Sequence, residues 1–151
     1  MKVIFLDFNG IVDTYEEMDE INLDNLNRLI ELCRLTDSKV VYSSSNRLSR
    51  FGRELVLKMI EQGLDIIGVT PKLYGNREEE IQTYLREHNE IINYCILDDD
   101  FDMPSMEEHL VKLPLQGPGS LGFTEEYFYT ALKVLGLSEK KGLGGMSNGK
   151  N

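Results

Sequence analysis

Residues 3–14 read VIFLDFNGIVDT: four apolar side chains, Val3 to Leu6, run straight into Asp7 and then into the turn-forming pair Asn9-Gly10. A short run that is apolar on both faces marks a strand buried between two layers, as in a parallel sheet flanked by helices. The same design recurs along the chain. Val40 to Tyr42 ends in Ser43-Ser44-Ser45, Ile66 to Val69 ends in Thr70-Pro71, and Tyr94 to Leu97 runs into Asp98-Asp99-Asp100. Leu110 to Leu113 is a weaker fifth strand before a Pro/Gly-rich loop, 114–122.

Segments of helical period separate these runs. Asn22 is placed to cap a helix to Leu35 whose apolar face carries Leu23, Leu26, Ile30 and Cys33. A second helix is expected from Arg53 to Gln62, closing at Gly63. A third runs from Arg77 or Glu78 to about His88, with Glu78, Glu79 and Glu80 at its positive end, after a loop ending near Gly75-Asn76. Thr124 is expected to cap a last helix bearing Tyr127, Phe128, Ala131, Leu132 and Leu135. Strand and helix alternating in this way predict an α/β fold: a three-layer, Rossmann-like domain over residues 1–137, its sheet mainly parallel with helices on both faces. The Gly-rich polar residues 138–151 read as a flexible C-terminal tail.

The chain has 151 residues and a net charge of −10, from 16 Lys and Arg against 26 Asp and Glu. That balance opposes nonspecific binding to nucleic acid or to an anionic membrane, since both need a basic footprint. No apolar stretch approaches the roughly 18 residues that cross a bilayer, and MKVIFLDFNG has no signal-peptide pattern. The two cysteines, Cys33 and Cys95, lie in apolar runs without a ligand spacing. They read as reduced thiols of a cytoplasmic protein.

Three strands end in groups suited to phosphate chemistry: Asp7, the serines from Ser43, and the aspartates from Asp98. Ligands of an open parallel sheet bind at the carboxyl ends of its strands, so these groups are expected in one crevice. Several carboxylates in one crevice repel one another, and a hard divalent cation with oxygen ligands relieves the repulsion. Arg47, Arg50, Arg53 and Lys58 form a local basic patch after the second strand, read most simply as a solvated helix face. His88 and His109 have no ligand spacing and read as structural or surface residues, whereas Asp13 is placed to shape the loop after Asp7.

FLDFNGIVDT resembles the first motif of the haloacid dehalogenase (HAD) superfamily, hhhDxDGxxxDT, and KVVYSSSNR resembles the second. The strings SSSNR, IGVTPKL, REEEIQTYL, ILDDDFDM and HLVKL together resemble the HAD domain of Swiss Army Knife RNA repair proteins and their stand-alone relatives, over roughly residues 2–136. The resemblance implies phosphoryl transfer through an aspartyl-phosphate on Asp7, with Mg2+ held by Asp7, the backbone carbonyl of Asn9, and Asp98 or Asp99. Asp98 and Asp102 fit the four-residue spacing of the family's acidic motif, and Asp98-Asp99 fits its alternative form. Ser43, or nearly as well Ser44, supplies the hydroxyl for a phosphoryl oxygen. Arg77, preferred to Lys72, neutralises transition-state charge, and Gly10 belongs to the substrate-binding loop.

Position 9 departs from the pattern. Related phosphatases carry there the Asp that serves as general acid and base, and Asn cannot exchange a proton in this range. Such help is worth about 10²–10⁴-fold, so turnover is expected to be weak. Asn9 is open to three readings: a natural residue of a slow phosphatase or of a phosphate- or metal-binding pseudoenzyme; an engineered substitution that traps substrate; or a deamidation site at Asn9-Gly10. Asp7 and Ser43 are 36 residues apart, of which the helix from Asn22 uses about 14, leaving a short flap and no room for a folded cap. The site should therefore be open, and by resemblance uncapped members act on extended phosphate esters, nucleic-acid ends among them. A receiver-like signalling domain needs an acidic pair after the first strand, which DFNG lacks.

Overall fold

The computed structural model describes residues 1–73 and 76–138. Five strands, β1 (Lys2–Leu6), β2 (Ser38–Tyr42), β3 (Ile66–Val69), β4 (Asn93–Asp98) and β5 (Leu110–Lys112), form one sheet in the order β3-β2-β1-β4-β5. Every pairing is parallel. The crossovers are α1 (Leu23–Thr36), α2 (Arg50–Glu61) and α3 (Arg77–Glu87), and α4 (Glu125–Leu135) follows β5. A kinked 3₁₀ segment, Pro104–His109, leads into β5. Among the described residues no folded cap interrupts this order, and no helix is long and apolar enough to cross a membrane.

Side chains alternate across β1, so the apolar run VIFL serves two cores at once. Ile4 and Leu6, with Val40 and Tyr42, pack against Leu26 and Leu29 of α1, Leu55 and Met59 of α2, and Ala131 of α4. Val3 and Phe5, with Val41 and Ile96, pack against Ile81 and Tyr84 of α3 and against Met103 and Met106. These are the three layers expected from the sequence. Burial of both Cys33 and Cys95 raises their thiols, Cys33 to about 12, and both are free of disulfides.

The caps explain where expected boundaries moved. Ser49 Oγ accepts the Gly52 N–H at 3.0 Å, so α2 starts at Arg50, three residues before the expected Arg53. Asn22 caps α1 as expected, its side chain accepting from the Asn25 N–H at 3.0 Å. Thr124 stands at the N-cap of α4, but its hydroxyl makes no capping bond. Ser138, the first residue of the expected tail, donates its N–H to the Leu35 carbonyl at 2.9 Å. The remaining tail, 139–151, and Gly75 of the loop before α3 lie outside the described residues.

Phe5 is fully buried and meets the edges of Tyr84 and Tyr94 with centroids 5.8 and 5.9 Å away. Phe5→Ala is expected to lower unfolding free energy by about 3–5 kcal/mol, measured by denaturant titration.

Candidate active site

The register of the sheet assembles the site. Leu6 pairs with Tyr42 on one side and with Leu97 on the other, so the residues that follow, Asp7, Ser43 and Asp98, leave the sheet at one level. Main-chain bonds carry the ladder across this level: Asp7 N–H to the Leu97 carbonyl at 3.1 Å, and Ser43 N–H to the Leu6 carbonyl at 2.9 Å.

Carboxylate oxygens of Asp7, Asp98 and Asp99, all buried, lie within 4.8 Å of one another. Arg77, the first residue of α3, crosses over them. Its Nη1 donates to Asp98 Oδ2 at 2.7 Å and stands 3.8 Å from Asp7 Oδ1. Phe101 covers the guanidinium with its ring centroid 4.7 Å away. The other Asp98 oxygen accepts the N–H groups of Asp100 and Phe101 at 2.9 and 3.1 Å. Asp99 Oδ2 accepts the Gln116 N–H at 3.0 Å, which ties the acidic loop to the Pro/Gly-rich loop after β5.

One arginine bonds Asp98 and approaches Asp7, and burial of the cluster shows in the protonation of Asp7 and Asp99. Burial first, then the Asp98 charge, push the Asp7 carboxyl up to about 8, against the opposing pull of Arg77. Asp99 is likewise raised, mainly by burial. Ser43 is fully buried, and its hydroxyl and that of Thr70 are the buried side-chain oxygens without a hydrogen-bond partner among the described residues. A buried hydroxyl with no partner is rare in a folded protein, and a bound acceptor resolves it.

Other expected residues take different places. Ser44 is buried, with its hydroxyl against the Tyr42 phenol. Gly10 adopts φ +83°, and a Cβ there would run into the Asp99 carboxylate, so the loop after Asp7 closes over the acids only with glycine. Lys72 is exposed and does not reach the carboxylates; it lines a cavity of about 570 Å³ together with Arg77, Phe101, Asn76, Ser45 and Ser49. Asp102 is not brought into the acidic cluster. It is exposed and paired with Lys112 at 2.8 Å, while Asp100 is also exposed.

Arg47 corrects the expected basic patch, because it is buried rather than solvated. Its guanidinium donates to the carbonyls of Ser44, Thr70 and Pro71 at 3.0, 2.8 and 2.8 Å and pairs with Glu80 of α3 at 2.9 Å. It thus ties the serine loop and the end of β3 to the helix that begins with Arg77. His88 and His109 are structural, as read, stacked on Tyr84 and Tyr94 with centroids 3.8 Å apart.

Sequence reasoning missed Gln116 and Phe101, and no local pattern marks either. Gln116 bonds Asp99 through its main chain and Asp13 Oδ1 through its side chain at 2.9 Å. Asp13 is fully buried and also accepts the Gly10 N–H at 2.8 Å, which fixes the loop that carries Asp7.

The family of HAD domains in Swiss Army Knife RNA repair proteins matches residues 3–128, and the chain belongs to it. No curated protein and no solved structure matches the chain. Membership of this family suggests an activity of the phosphatase or phosphotransferase kind, and the structure carries one buried acidic cluster among the described residues, Asp7, Asp98 and Asp99.

Because its folded carboxyl titrates at about 8 against an ordinary 3.8, Asp7 holds its proton more tightly in the folded than in the unfolded chain. Its ionisation costs stability, a cost absent below the unfolded value, growing as pH rises and constant above the folded value. Asp7→Asn is therefore expected to raise the melting temperature of the metal-free protein. The gain should widen from about pH 4 to about pH 8 and level off beyond, as measured by differential scanning fluorimetry across that range.

Proposed function

We propose that the protein is a Mg2+-dependent phosphatase or phosphotransferase that works through an aspartyl-phosphate on Asp7. The observation that carries this reading is the meeting of Asp7, Asp98 and Asp99 within 4.8 Å under a single guanidinium. The unpartnered Ser43 hydroxyl at the neighbouring strand end adds to it. The donor set fits a hard cation: it is all oxygen, buried, and short of positive charge. Asp7, Asp98, Asp99 and the main-chain carbonyl of Asn9 would hold Mg2+, which supplies charge neutralisation and Lewis-acid polarisation of the phosphoryl group when bound.

The chain's own residues then divide the work. A carboxylate oxygen of Asp7 attacks phosphorus in line, its bond to phosphorus forming as the ester P–O bond breaks. Ser43 Oγ donates to a phosphoryl oxygen, with Ser44 beside it, and Arg77 balances negative charge on the transferring group. Gly10 lets the loop approach without a side chain in the way. The leaving group extends into the cavity between Lys72, Phe101 and Ser49. With no folded cap among the described residues, the substrate class is an extended phosphate ester, a nucleic-acid end included, recognised at its phosphate rather than along a basic surface. The protein acts in the cytoplasm, where its two thiols stay reduced.

Release of phosphate from Asp7 is slow, because Asn9 stands where an acid would exchange a proton with the leaving group and with water. A second reading, a phosphate- or metal-binding module that does not turn over, is favoured by one observation: the Asn9 amide is bound to Asp13 and Asp19 at 2.7 and 2.8 Å.

With Mg2+, slow hydrolysis of p-nitrophenyl phosphate and of a 3′-phosphorylated oligonucleotide is expected. Asp7→Asn abolishes both, and Ser43→Ala lowers kcat/KM by about 10–100-fold, as measured by phosphate release. Wild-type protein that binds Mg2+ yet hydrolyses neither substrate favours the second reading. Mg2+ binding at pH 7 should release close to one proton, because the Asp7 carboxyl sits near 8, and the release should fade above about pH 9. Calorimetry in buffers of differing ionisation enthalpy measures it.

A further inference from the structure

The loop between Val12 and Asn22 is closed at its base, where the Asn22 N–H donates to the Val12 carbonyl at 3.0 Å. The flap so formed, residues 13–21, carries exposed Tyr15 and Met18 and has no regular secondary structure of its own. Its far side is held by acids. Asp13 is fully buried; besides the bonds from Gly10 and Gln116, its Oδ2 accepts the Asp19 N–H at 2.8 Å. Asp19 is an exposed non-glycine residue in the left-handed region, φ 68°, a conformation that persists only where surrounding bonds fix it. Among the described residues no lysine or arginine bonds either acid.

One group joins them. Asn9 Nδ2 donates to Asp13 Oδ2 at 2.7 Å and to Asp19 Oδ1 at 2.8 Å, one amide nitrogen serving two carboxylates. Only an amide meets this demand without added charge. A carboxyl group at position 9 offers at most one proton for two acceptors, and when ionised it puts a third negative charge among them.

We propose that Asn9 is a positioning residue, the clasp that fastens flap 13–21 to the nucleophile loop by donating its amide N–H groups to Asp13 and Asp19. Residue 9 and residue 19 form a matched pair, amide at one and acid at the other. Asn9 then has a structural task of its own in this architecture, and Asp at position 9 would lose both bonds and face the carboxylates of Asp13 and Asp19. The same bonds oppose deamidation. That reaction needs the Gly10 main-chain nitrogen to attack the Asn9 side-chain carbonyl carbon, and the Gly10 N–H is instead engaged with Asp13 Oδ1 at 2.8 Å.

The test is a double-mutant cycle on the full chain, read by hydrogen exchange in residues 13–21 and by melting temperature. Neither readout depends on the protein being a phosphatase. Asn9→Asp is expected to speed exchange across the flap by about tenfold or more and to lower the melting temperature by several degrees. Asp19→Ala, at an exposed position, should loosen the same segment, which keeps the test in hand if Asn9→Asp fails to fold. Combining Asn9→Asp with Asp19→Asn, whose single variant completes the cycle, should restore part of the lost protection, because an amide at position 19 can donate to the acid at position 9 whereas that acid still has no N–H for Asp13.

Effects that simply add, or a flap whose exchange is unchanged in both Asn9→Asp and Asp19→Ala, would overturn the clasp. Where phosphate release is measurable, Asn9→Asp alone should not exceed the wild-type kcat, whereas the exchanged pair should have a higher kcat than Asn9→Asp. A rise in kcat for Asn9→Asp alone with flap protection intact would also refute it.

Discussion

The parallel pairing of β1 with β2 and β4 fixes everything that follows. Leu6 stands opposite both Tyr42 and Leu97, so three chain segments far apart in sequence leave the sheet side by side. A shift of one residue in either pairing would turn the side chains of that strand to the opposite core and carry its terminal polar group away from Asp7. The apolar packing that holds the register, Ile4 and Leu6 on one face and Val3 and Phe5 on the other, is therefore also what positions the candidate chemistry.

Electrostatics then works against that packing. The same burial that makes the strands stable brings three carboxylates out of water with one guanidinium to offset them, and the cost appears as an Asp7 carboxyl pushed up to about 8. The fold tolerates this because the acids are otherwise well bonded. Asp98 takes Arg77 on one oxygen and two main-chain N–H groups on the other, and Asp99 takes Gln116. The chain's surplus of acid is thus divided. Part is concentrated in the strand-end crevice, and Asp100 and Asp102 of the same run stay in solvent.

Much of this was legible in the chain. Strand ends at Asp7, Ser43 and Asp98 follow from apolar runs that stop abruptly, and a start of α3 at Arg77 or Glu78 follows from the run of glutamates, Arg77 being where it begins. The roles of Arg47, Gln116 and Asp19 were not legible, for a common reason. Each acts through partners distant in sequence: Arg47 on Thr70, Pro71 and Glu80, Gln116 on Asp13 and Asp99, and Asp19 on Asn9. Local patterns carry periodicity and capping but not the partner of a buried polar group. Asp102 shows the converse, since its spacing from Asp98 matched a motif while the loop turned its side chain out to Lys112.

The sequence by itself determined the layered α/β architecture, the strand ends and the family, because hydrophobic periodicity and a short ordered set of motifs are local properties of the chain. Only the tertiary structure decided which acids meet, which cation faces them, and what the amide of Asn9 is for. The sequence presents Asn9 as the absence of a carboxylate, and folding supplies the two carboxylates that need its N–H groups. A side chain's protonation and hydrogen bonding are set by what surrounds it in space, and for Asn9 those surroundings come from a flap that returns to it ten residues later.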